Sequence, residues 1–190
     1  MPADVPASQA NMSKTILYLD YDGVLHPEPV YRHPRGGMYF GLEHAGHSLF
    51  EYAEVLVEAL APYPDVAIVL STSWVRVLSY SQARAYLPEA LRSRVIGATF
   101  HSAMNKFEFD AMTRGAQVLA DATRRSATNW VALDDDDEGW LGAASNHLVL
   151  SNGSQGLSNP KTVTELSVRL GEQSRRLRSS RPHHAKSSLS

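Results

Sequence analysis

The chain has 190 residues, 43% of them hydrophobic, which is enough for one sizeable core and tight for two. Its 18 Lys and Arg against 20 Asp and Glu leave a formal charge of −2, with no global pull toward nucleic acid or an acidic membrane. The absence of cysteine excludes a disulfide framework or a thiolate metal site, and no apolar run approaches the ~20 residues of a membrane span.

Residues 1–13, rich in Ala, Pro, Ser and Asn, read as a disordered lead-in. They lack the apolar stretch of a signal peptide, so a soluble, cytoplasmic protein is expected. The first apolar run, TILYLD (15–20), ends in an acid and leads into Asp20-Tyr21-Asp22-Gly23. Residues 26–47 are too short for a separate domain and read either as a small hairpin flap or as an ordinary surface loop. In the flap reading Tyr31, Arg32, His33 and Arg35 face substrate. Ser48–Glu51 has the S-x-x-E pattern of a capping box, with Leu49, Ala53, Leu56 and Leu60 following at helical spacing. Two further apolar runs follow, DVAIVLS (65–71) and RVIGATF (94–100). A single helix is expected over 107–122, with Ala111, Met112, Val118, Leu119 and Ala122 on one face and Gly115 as its weak point. WVALDD (130–135) and HLVLS (147–151) are the last apolar runs. Asn159-Pro160 then reads as an N-cap with Pro at the first helical position, turning Val163, Leu166 and Leu170 inward. From Glu172 the chain is rich in Arg and Ser and reads as a disordered basic tail, residues 172–190, leaving 14–171 as one domain.

Five continuous apolar runs alternating with helical segments predict an α/β domain, doubly wound around a mostly parallel sheet buried on both faces. Ligands of such sheets bind beyond the carboxyl ends of the strands. There the runs end in Asp20, Ser71 and Asp134-Asp135. Carboxylates with a hydroxyl form an oxygen-rich pocket suited to Mg²⁺ and phosphate. Taken alone, Asp20-Tyr21-Asp22-Gly23 is also a plain β-turn sequence. Polar residues at matching strand ends are what favour a site.

These motifs resemble the haloacid dehalogenase (HAD) superfamily. LDYDGVL is similar to its first motif, hhhDxDGxx, VLST to the second, and VALDD to the acidic fourth in its DD form. LSTSW, WVALDD and the later Gly156-Leu157 further resemble the small HAD-like domains associated with Swiss-Army-knife RNA repair proteins. The resemblance covers residues 15–170 and implies a HAD-like Rossmannoid fold with little or no cap. It implies Asp20 as a nucleophile that forms an aspartyl-phosphate, and Asp22 as general acid and then base. Mg²⁺ would be held by Asp20, the Asp22 carbonyl and the final pair, with Asp135 direct and Asp134 one step back. Ser71 would bond the phosphoryl group. The third motif departs from the family's usual Lys: Arg114 is the candidate phosphate-binding cation, and Lys106 the runner-up. Arg keeps the charge and can grip phosphate with two donors.

Asp136, Asp137 and Glu138 read as a solvated acidic loop, and Trp74, Trp130 and Trp140 as packing residues. His26, His33, His44 and His47 lack tight metal-ligand spacing. The expected activity is a Mg²⁺-dependent phosphatase with an open site, acting on phosphorylated substrates such as nucleotides or nucleic-acid ends. The alternative is a non-catalytic or regulatory module of the same fold, one form being an RNA adaptor using the basic tail. A phosphoacceptor receiver is disfavoured, since residues 94–102 offer no acceptor Asp after the third strand.

Overall fold

The computed structural model describes residues 14–179. The lead-in expected over 1–13 and the tail from 180 lie outside the described residues. Strand β1 (Ile16–Leu19) is followed by the short strands β2 (Val30–Arg32) and β3 (Met38–Phe40), helix α1 (Ala53–Leu60) and strand β4 (Ala67–Leu70). Three short helices, α2 (Trp74–Val77), α3 (Tyr80–Ala85) and α4 (Glu89–Arg92), lead to β5 (Val95–Ala98). Helices α5 (Lys106–Asp110) and α6 (Arg114–Arg124) precede β6 (Trp130–Asp134) and β7 (Leu148–Leu150), and α7 (Pro160–Ser179) closes the fold. All five expected apolar runs form strands of one parallel sheet, ordered β5-β4-β1-β6-β7. β2 and β3 pair separately as an antiparallel hairpin, one of the two readings open for residues 26–47. Among the described residues no helix is long and apolar enough to cross a membrane.

The strands are continuously apolar because both sheet faces are covered. Leu17, Leu19, Ile68, Leu70, Val131 and Leu133 pack with Leu56 and Leu60 of α1 and Leu166 and Leu170 of α7. Ile16, Tyr18, Val69 and Ala132 turn the other way, toward Val118 and Ala122 of α6. Adjacent strand residues point to opposite faces, so each central strand feeds two cores. On that second face Tyr18 donates its hydroxyl to buried Asp121 Oδ2 at 3.0 Å. Arg124 and Arg125 also pair with Asp121.

Three expectations need correction. The capping box at Ser48 is only half formed: the Ser48 amide lies 3.5 Å from Glu51 Oε2, and α1 starts at Ala53 behind Tyr52. Phe50 has φ +62°, and the amides of Phe50 and Tyr52 donate to His26 Nδ1 and the Leu25 carbonyl. The loop after β1 thus takes the donors that an earlier helix start would have used. The helix expected over 107–122 is two helices, because Asn105 caps α5 and Thr113 caps α6 through its hydroxyl. Finally, residues 172–179 are not a disordered tail: α7 continues to Ser179, with Gln173 only 4% exposed. Gln, Glu, Leu and Arg are good helix formers, so the apolar face need not persist for the helix to do so.

Candidate active site

The carboxyl ends of β1, β4 and β6 lie side by side; the ladder runs one residue past β1 and β4, and Asp134 is the last paired residue of β6. The Asp20 amide bonds the Leu133 carbonyl at 3.1 Å, and the Ser71 amide the Leu19 carbonyl at 2.8 Å. Asp20, Ser71 and Asp134 are therefore fixed by backbone pairing before any side-chain contact is made. Carboxylate oxygens of Asp20, Asp134 and Asp135 lie within 4.8 Å of one another. Asp20 is 4% exposed and Asp134 1%.

Arg114, the first residue of α6, enters this cluster. Its Nη2 donates to Asp20 Oδ2 at 3.3 Å, and its Nη1 to the Ser71 carbonyl at 2.6 Å. Its Nε lies 3.3 Å from Asp134 Oδ2 as an ion-pair contact without hydrogen-bond geometry. One guanidinium thus spans the ends of β1, β4 and β6. Lys106 is elsewhere: exposed, it pairs with Asp110 at 2.6 Å, and Arg76 pairs with the same carboxylate. Of the two candidate cations, Arg114 is the one that reaches the acids.

Burial raises the Asp20 carboxyl above its usual range; Arg114 pulls it back and Asp22 adds to the rise. Burial, then Asp20, pushes Asp134 well above the ordinary value, with Arg114 opposing. Asp135 is raised to about 8 by burial, then by Asp20 and by Glu28. Burial works against the charge on Arg114, but Asp20 and Asp134 outweigh it and hold the guanidinium above its ordinary value. When all three carboxylates are ionised, the single Arg114 cation leaves negative charge uncompensated.

The donor set fits Mg²⁺: every clustered ligand atom is a carboxylate oxygen, the choice of a hard cation. The Ser71 hydroxyl is buried with no hydrogen-bond partner among the described residues, as expected of a group awaiting a ligand oxygen. Among the described residues no histidine joins the cluster.

Asp22 lies just outside it. The chain reverses at Gly23, φ +66°, where a Cβ would overlap the Asp135 carboxylate. The Gly23 carbonyl accepts from Ser151 Oγ at 2.7 Å. This turn aims Asp22 at Trp74, whose indole Nε1 donates to both carboxylate oxygens at 3.0 Å, and at His26, 3.1 Å away. On the flap, Arg32, His33 and Arg35 are exposed, and Phe40 packs edge-on against His26 at 5.6 Å. A cleft of about 600 Å³ beside β5, lined by Val75, Tyr80, Ile96, Phe100 and His101, contains none of the clustered acids.

Sequence reasoning missed Trp74, His26, Glu28 and Ser151. The nearest signal was the position of Trp74 three residues beyond Ser71, on the segment following a site strand.

A parallel α/β sheet carrying buried acids, a hydroxyl and a cation at its carboxyl edge defines the HAD-like class. The chain belongs to the family described as the HAD domain in Swiss Army Knife RNA repair proteins, whose model matches residues 16–162. No curated protein matches the chain.

Proposed function

We propose that this protein is a Mg²⁺-dependent phosphohydrolase that works through an aspartyl-phosphate on Asp20. The observation that carries the reading is Arg114, which joins the nucleophile Asp20, the Ser71 strand end and Asp134 in one contact set. Asp20 attacks phosphorus through a carboxylate oxygen; the ester P–O bond breaks, and the leaving oxygen takes a proton from Asp22. A water then gives a proton to Asp22 and attacks the same phosphorus, releasing inorganic phosphate and restoring Asp20. The unpartnered Ser71 hydroxyl bonds a phosphoryl oxygen, and Arg114 orients Asp20 while offering positive charge. Asp20, the Asp22 carbonyl and Asp135 would hold the ion. Asp134, already engaged by Arg114 and by the Asp136 amide at 3.1 Å, stands one step back. When bound, Mg²⁺ supplies the charge that lets these carboxylates share the site with a phosphate dianion.

The family's RNA-repair description and the small hairpin flap favour phosphate on a nucleotide or nucleic-acid end. The test is turnover of an aryl phosphate and of 3′- and 5′-phosphorylated oligonucleotides, with Mg²⁺ or with chelator. Mg²⁺-dependent phosphate release is expected. Absence of turnover on every substrate would favour a binding module of the same fold.

A further inference from the structure

Resting on the phosphohydrolase reading, we propose that His26 and Trp74 are positioning residues that clamp the proton-transfer group Asp22. A carboxylate on a loop has free rotation about two bonds, and productive proton transfer needs it within hydrogen-bond reach of the leaving oxygen. Here two buried donors remove that freedom. The Phe50 amide donates to His26 Nδ1 at 3.2 Å, which leaves the ring proton on Nε2. That nitrogen faces Asp22 Oδ1 at 3.1 Å. Trp74 Nε1–H reaches both Asp22 oxygens at 3.0 Å from the other element.

Neither donor can easily turn away. His26 and Trp74 are fully buried. Their rings pack at 5.7 Å from each other, and both pack against Phe50, at 5.1 Å for His26 and 5.3 Å for Trp74. Apolar rings would fill this space as well. An indole N–H and an imidazole N–H converging on one partly exposed carboxylate are more than packing requires.

The test uses the full-length protein and two substrates, an aryl phosphate, whose leaving group needs little protonation, and an alkyl phosphate, which needs it fully. Trp74→Phe keeps a buried aromatic ring and removes the donor together with some packing volume, a loss that would affect both substrates alike. It is expected to lower kcat on the alkyl phosphate by about tenfold or more and on the aryl phosphate by less than about twofold. His26→Gln, which can still present an N–H, should retain more alkyl-phosphate turnover than His26→Leu. In an Asp22→Asn background, Trp74→Phe should cost nothing further on the alkyl phosphate, because its effect passes through Asp22. Equal losses on both substrates, or full additivity with Asp22→Asn, would overturn the clamp while leaving the phosphatase intact. Where His26→Gln fails to fold, the Trp74 series decides alone. A wild-type protein that releases no phosphate from either substrate overturns the underlying reading, and the clamp's role with it. The Trp74 indole ¹⁵N–H resonance is an activity-free check: it should shift in Asp22→Ala, and an unchanged resonance would show that the contact is absent.

Discussion

Asp20 and Asp22 are two positions apart and meet different surroundings, the first facing Arg114, the second facing Trp74 and His26. Their substitutions should therefore fail differently. Under the proposed mechanism Asp20→Asn removes the attacking carboxylate and is expected to abolish phosphoenzyme formation. Asp22→Asn keeps the backbone carbonyl but cannot carry the proton, so with an aryl phosphate it should still be labelled and then hydrolyse slowly. Rapid-quench labelling with intact mass measurement reads both outcomes. Arg114→Ala should lose about a hundredfold or more in kcat, the scale of a lost charge-stabilising donor. Lys106→Ala should stay near wild type, because Lys106 sits on Asp110 at the surface. Steady-state rates of the two variants rank them, and the opposite order would move the third motif to Lys106. At this scale Asp20, Ser71 and the Asp134-Asp135 pair were legible as the polar ends of apolar runs meeting at one sheet edge, Asp22 by its place in the Asp20-Tyr21-Asp22-Gly23 turn, and Arg114 only as a cation twenty residues before Asp134. Trp74 and His26 were not: the Trp74 contact with Asp22 spans 52 residues and exists only after the sheet has brought β1 and β4 together.

Helix boundaries were the least legible elements. The apolar spacing of 107–122 continues across the break, so periodicity suggested one helix. The polar caps Asn105 and Thr113 decide the matter locally and place Arg114 at the first turn of α6, next to the site. Gly115 is less a weak point than a requirement. A Cβ there would run into the backbone of Gly139 and Trp140, and the Gly115 amide bonds the Glu138 carbonyl at 3.0 Å. Gly115→Ala is expected to destabilise by about 1–3 kcal/mol, the usual range for overpacking, and to lower the urea midpoint. The end of α7 went unread for the opposite reason: its apolar face thins out after Leu170, but helix propensity carries it on to Ser179. Ending the chain at Gly171 removes buried Gln173 and should lower Tm relative to the full chain in a thermal melt.

Over the whole molecule, the clustered acids make the metal-free fold sensitive to pH. Burial, then Asp20 and Glu28, push the folded Asp135 carboxyl up to about 8, and unfolding returns it to its ordinary low value, so the folded state binds more protons in between. Stability from this group is full at low pH and is lost as pH rises through the folded value. Tm of the metal-free protein should therefore fall between about pH 5 and about pH 8, and Mg²⁺ should raise Tm more at the higher pH, where no proton competes for the carboxylate. Calorimetry at both pH values, with Mg²⁺ and with chelator, checks this; a Mg²⁺ effect larger at low pH would contradict it. The five-stranded sheet itself was legible because strands buried on both faces leave unbroken apolar runs, and the hairpin was one of two readings that residues 26–47 allowed. Tyr18 and Asp121 give the arrangement a further property. β1 and α6 are fastened twice, by Tyr18 to Asp121 and by Asp20 to Arg114. The fasteners are about 7 Å apart along the strand and about 10 Å apart along the helix axis. A helix pinned at two separated points can neither slide nor pivot along the strand without breaking one of them. Charge can enter and leave the sheet edge while the guanidinium keeps its station, as a gauge keeps its zero when the load on it changes.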